Sequence, residues 1–115
     1  MTYNEALLRA VEGWNENPIV DEWLFEKFRQ QFVNTISGDE AFESIGPTVS
    51  MLLRQSDEST AIEVLQTVIA LAKQSDTTEI PPLLLANRKC IADKFAVFGD
   101  YAGEKLKELF AFYRI

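Results

Sequence analysis

Apolar residues recur at helical spacing almost from the first residue. Tyr3, Leu7, Ala10, Val11 and Trp14 form one stripe, and the Thr2-x-x-Glu5 pattern ahead of it reads as a capping box. Asn17–Pro18 ends that helix, because a proline disfavours helical geometry at the residue before it. The next stripe, Leu24, Phe25, Phe28, Phe32 and Ile36, predicts a helix over 21–36 stopped by Gly38. Asp39 is expected to cap a short helix to Ile45, with a kink or restart at Gly46–Pro47 before a continuation to about Gln55. Thr60 and Glu63 offer a second capping box for a helix over 59–74. There Ile62, Leu65, Ile69 and Ala72 mark one face, and Val64, Val68 and Leu71 widen it until two sides must be covered. Pro81 suits the first turn of a fifth helix that carries Leu84, Ile91, Phe95 and Phe98 inward, with Cys90 on or beside the buried face. Gly99 stops it, and Asp100 is expected to cap the last helix, along Ala102, Leu106, Leu109, Phe110 and Tyr113. Sustained alternation and hairpin dipeptides are missing, so the chain is predicted to be all-α.

No linker divides residues 1–115, which read as a single helical domain. Asp57 and Asp100 each stand at a corner between an apolar helix end and a capped amphipathic helix, 43 residues apart. That spacing resembles HEAT or armadillo repeats. Two architectures are therefore expected: a short stack of antiparallel α-hairpins, or an irregular bundle of about six helices.

Charge changes the picture more than composition does. The net charge is −7, yet residues 1–65 hold 12 acids against 4 bases, a balance of −8, while residues 66–115 stand at +1. A field so directed argues against nucleic acid as a partner and for a basic protein. The longest apolar runs, such as VIALA at 68–72, are far too short to span a membrane. The opening residues lack a basic segment followed by an apolar one, and a lone cysteine cannot build a disulfide framework, so a cytoplasmic location is expected.

Candidate chemistry is sparse. Histidine is absent, which removes the commonest general base, nucleophile activator and metal ligand together. The five glycines are scattered singly, so no phosphate-cradling loop is present. The pairs Glu12/Glu16 and Glu22/Glu26 are four residues apart, but the Glu-x-x-His pattern of helical di-metal sites cannot occur. No enzyme activity, metal, cofactor or small-molecule substrate is expected. Asp39, Glu40 and Glu43 suit the first turn of a helix.

The stretch EGWNENPIVDEW, 12–23, stands out: it holds both tryptophans and four carboxylates and no lysine or arginine. Trp14 belongs to an apolar stripe. Trp23 lies off its helix's inward side, beside Asp21, Glu22 and Glu26, and is expected to be half-exposed. An apolar anchor ringed by acids has the composition of an interface hot spot. The candidate partner-binding residues are Glu12, Trp14, Glu16, Asp21, Glu22, Trp23, Glu26, Asp39, Glu40 and Glu43.

In size, charge and helical content, and most of all in EGWNENPIVDEW, FEKFRQQF and SGDEAFESIG, the chain resembles the small acidic immunity proteins of bacterial toxin systems, including contact-dependent growth inhibition. The resemblance implies a cytosolic protein that binds and neutralises a cognate toxin, commonly a basic nuclease, with carboxylates standing in for the phosphates the toxin grips. The alternative is a helical-repeat adaptor whose groove accepts a peptide or helix.

Overall fold

The computed structural model describes residues 1–16 and 22–115. Among the described residues there are seven helices: α1 (Tyr3–Glu16), α2 (Leu24–Phe32), α3 (Gly38–Leu53), α4 (Glu58–Gln74), α5 (Pro82–Ala86), α6 (Arg88–Phe95) and α7 (Asp100–Tyr113). No strand occurs among the described residues. The all-α expectation is met.

Three hairpins lie side by side. Helices α1 and α2, α3 and α4, and α6 and α7 pair within hairpins; α4 also touches α2 and α7, and α3 touches α1, α5 and α6. Polar bridges fix the directions. Gln66 Nε2 reaches Tyr101 Oη (3.2 Å) and Lys73 Nζ reaches Glu108 Oε1 (3.2 Å), both at a separation of 35 residues, so α4 and α7 run parallel. Helix α3 runs antiparallel to α4, since its first residue, Gly38, abuts Ser75 just past the end of α4. One layer holds α1, α3, α5 and α6, the other α2, α4 and α7, in a slab of 37 × 34 × 18 Å. This compact arrangement agrees with the expected bundle of about six helices, within which neighbouring helices pair as hairpins.

Helix α4 is the shared spine. Val64, Leu65, Val68 and Leu71 are fully enclosed, with Ile69 and Ala72 nearly so, which is the two-sided burial its wide stripe predicts. Arg29 ties α2 to it. One guanidinium nitrogen donates to the Glu63 carbonyl (3.2 Å) and Thr67 Oγ1 (3.3 Å), the other to Glu63 Oε1 (3.3 Å), and the group sits 6.0 Å from the Phe25 ring centroid.

Several local expectations give way to packing. Helix α3 runs unbroken across Gly46–Pro47, without the restart. An interior proline costs about 3 kcal/mol, and the burial of Ala41, Ile45, Val49 and Leu52 along one face exceeds it. Helix α2 stops at Phe32 rather than Ile36. Val33, Thr35 and Ile36 are β-branched, and Val33 is fully enclosed while the Ile36 carbonyl accepts from Gln74 Nε2 at 2.6 Å. The expected fifth helix breaks at Asn87: its backbone N–H still makes the helical bond to the Leu83 carbonyl (3.1 Å), but its side-chain Nδ2 donates to the same oxygen (2.8 Å) in competition with the ladder.

That break also corrects the placement of Cys90. Ile91 and Phe95 set the buried face of α6, and Cys90, about 100° round from Ile91, is exposed. Phe98 is half-buried.

The caps shift by a residue or two. Thr2 accepts from the Glu5 N–H (3.2 Å) as expected. Ser37, not Asp39, caps α3 by accepting from the Glu40 N–H (3.1 Å). Asp57 caps α4 by accepting from the Thr60 N–H (3.0 Å). Gly99, not Asp100, occupies the cap of α7, and its N–H donates to Glu58 Oε1 (3.1 Å).

Candidate functional site: two acidic ends of the central helix

The end of α1 and the start of α2 meet over the start of α4. The approach is close, because a Cβ added to Gly13 would stand 3.1 Å from Leu24 Cδ2. Trp14 is half-buried there. Its Nε1 donates to Ser59 Oγ (3.1 Å), and its ring packs edge-on against Phe25 at 5.6 Å between centroids. Next to it the Thr60 hydroxyl, fully buried, donates to Asn15 Oδ1. Trp14 is thus a wedge that fastens α1 to α4, and only part of its surface faces outward.

Trp23 has a different surrounding. It occupies the N-cap of α2, its carbonyl accepts from the Lys27 N–H at 2.8 Å, and 58% of the residue is exposed. Phe25, two residues on, is completely enclosed and takes the inward direction that Trp23 lacks. Glu12, Glu16, Glu22 and Glu26 are all exposed. Among the described residues no ion pair takes up any of these four; the pairs seen are Arg29–Glu63, Lys73–Glu108, Lys105–Glu108 and Glu104–Lys107. Asp21, the remaining acid expected in this group, lies outside the described residues.

The other three candidates sit elsewhere. Asp39, Glu40 and Glu43 are exposed on the first turns of α3. A Cβ on Gly38 would lie 3.0 Å from the Ser75 carbonyl oxygen, so this group stands at the far end of α4. From Ser59 to Ser75 is about 24 Å along the helix at 1.5 Å per residue. The nine described candidates therefore do not make one face. They divide into a tryptophan-centred group at the start of α4 and a purely acidic group at its end.

The second group gains members that the sequence reading passed over. Asp76 and Glu79 join Asp39 and Glu43 around a cleft of about 490 Å³ with Phe42 in its wall. Asp76 holds φ at +55°, in the left-handed region, as the residue after the α4 C-cap. Its place in the SDTTE loop carried no periodic signal, and only the α3–α4 hairpin brings it to Asp39.

Arg88 and Lys89, at the start of α6, are exposed, with the Arg88 guanidinium 5.6 Å from the Phe110 ring centroid. Among the described residues no group of three or more His, Cys, Asp or Glu side chains is arranged to hold a metal ion. No described helix is long and apolar enough to cross a membrane. No known family model, curated protein or solved structure matches the chain.

Proposed function

We propose that this protein is a stoichiometric binder of a basic protein, acting as the immunity partner of a toxin domain by covering its cationic surface. The observation that carries this reading is the exposed Trp23, flanked along the chain by the exposed Glu22 and Glu26, with the exposed Glu12 and Glu16 at the neighbouring end of α1, and with none of those carboxylates engaged in an ion pair among the described residues. Internally paired acids would spend their field inside the molecule. These remain available to meet lysines and arginines, while the ring supplies apolar area at the contact centre. The group at the far end of α4 adds to the field that steers encounter.

The chemistry runs through desolvation. A toxin cation loses water when it meets a carboxylate, a cost offset only by well-formed hydrogen bonds between the two, while the neighbouring apolar ring supplies the buried area. The partner's Lys and Arg side chains would otherwise hold phosphate oxygens, and carboxylates present the same acceptor chemistry. Helices paired as hairpins also suit a helical-repeat adaptor, whose binding through an apolar groove would be insensitive to salt. Charge-driven capture should instead have an association rate that falls steeply with ionic strength.

The test is a double charge reversal, Glu22→Lys with Glu26→Lys, assayed against the basic protein encoded beside this chain's gene. Both residues are exposed, so folding should change by only about 0–1 kcal/mol. Protection of cells from that protein should be lost. Full protection by the folded double variant would refute the proposal.

A further inference from the structure

A second surface, whose one charged lining residue is the cation Arg54, lies between α1 and α3. Asn4 and Leu8 on one side and Pro47, Ser50, Met51 and Arg54 on the other line a cleft of about 270 Å³. Leu8 is 45% exposed although it belongs to a helix whose core stripe is already filled by Leu7, Ala10 and Val11. Met51 is half-buried and Pro47 exposed, and Leu83 of α5, itself 38% exposed, extends the apolar surface past Gly46, where a Cβ would lie 3.8 Å from its Cδ2. The volume is sufficient for a leucine or phenylalanine side chain, since cavities of about 150 Å³ admit benzene. Arg54 stands at the edge, exposed, and its guanidinium makes no hydrogen bond or ion pair among the described residues. Residues 1–65 contain only four bases, and Arg54 is the one at the edge of this cleft.

We infer that this cleft is a docking site for an acidic amphipathic helix of a partner polypeptide. An apolar side chain would enter between Leu8 and Met51, and a carboxylate about one turn away would meet Arg54. Charge complementarity selects the occupant: in a chain of net charge −7, a basic segment would be drawn to the acidic ends of α4, leaving Arg54 to an anion. The amide of Asn4 and the hydroxyl of Ser50 supply rim hydrogen bonds. A second copy of this chain could offer Trp23 and its glutamates to the cleft. Such a head-to-tail contact joins two different surfaces and does not close, so it would build rings or filaments rather than a defined pair. A separate polypeptide is the favoured occupant.

The experiment is an amide-resolved NMR titration of the whole protein with two helical peptides. One carries leucines a turn apart with glutamates beside them; in the other, lysines replace those glutamates. The acidic peptide should move the amides of Leu8, Ser50, Met51 and Arg54. Arg54→Glu should weaken it by about tenfold or more and admit the lysine peptide instead. Leu8→Ser, a change at an exposed position, should weaken the acidic peptide in the parent and the lysine peptide in Arg54→Glu. No shift at these amides up to about 1 mM acidic peptide, or an equal response to both peptides, overturns the inference. So does concentration-dependent self-association that Arg54→Glu abolishes, because it would make the occupant a second copy. The Trp23 surface is untouched by these changes, so failure here leaves the proposed function standing.

Discussion

Removing Arg29 should loosen the helix that presents Trp23. Helix α2 has nine residues and buries only Phe25 and Phe28 within its span, so the guanidinium is a major part of what fixes it to α4. The pair is shielded, with 14% of the Arg29 side chain and 18% of Glu63 exposed. Breaking a fully buried pair costs about 3–5 kcal/mol, because the surviving charge is stranded. Here both ends keep some water and Thr67 retains its donation to the Glu63 carbonyl (2.9 Å), so Arg29→Ala should cost about 2–3 kcal/mol. Glu63→Gln keeps an acceptor for the guanidinium and should cost about 1 kcal/mol. Replacing both with apolar residues, Arg29→Met with Glu63→Leu, should return stability to within about 1 kcal/mol of the parent, since neither charge is then stranded. Urea unfolding followed by circular dichroism reads all three as shifts in midpoint at constant slope. A cost below about 0.5 kcal/mol for Arg29→Ala would place the bridge among surface pairs and refute the reasoning.

Other outcomes follow from single groups. The Tyr113 hydroxyl is buried with no hydrogen-bond partner among the described residues, so Tyr113→Phe should raise stability by about 1 kcal/mol in the same urea assay. Burial pushes Tyr113 up to about 12 from 10.0 and raises Tyr3 too. A raised folded-state pKa favours the folded form below the unfolded value and loses that contribution as pH climbs, so stability should fall between about pH 10 and 12, less steeply in Tyr113→Phe. Asp76→Gly removes a left-handed strain and should stabilise by about 0.5–1 kcal/mol, read as a rise in melting temperature. Ile69→Ala opens a cavity in the spine and should cost about 2–5 kcal/mol while affecting partner binding only through the folded fraction.

Periodicity carried most of the fold. The stripes of α1, α4 and α7 coincide with their buried faces because each helix meets its neighbours along its length. Breaks were harder to read. The local cost of Pro47 predicts a break, whereas packing of α3 against α4 keeps the helix continuous through it. Asn87 carries no strong breaker signal, and its effect depends on a side-chain bond to Leu83. Within the candidate site, Trp23 was legible because Leu24 and Phe25 already claim the inward side. The separation of Asp39, Glu40 and Glu43 from the tryptophan group was not, since it depends on where the α3–α4 hairpin places the start of α3. Asp76 and Glu79 were invisible for the same reason. Arg29 counted as one base among four in the linear charge tally, but the fold turns it inward to Glu63.

The central claim is that partners are met by the acids around Trp23, and hydrogen–deuterium exchange on the native complex addresses it most directly. With the basic partner bound, backbone amides at 12–16 and 22–26 should exchange more slowly than in the free protein, while those of α6 stay unchanged. Protection confined to α5, α6 or the α1–α3 cleft, with 12–16 and 22–26 unaltered, would contradict it.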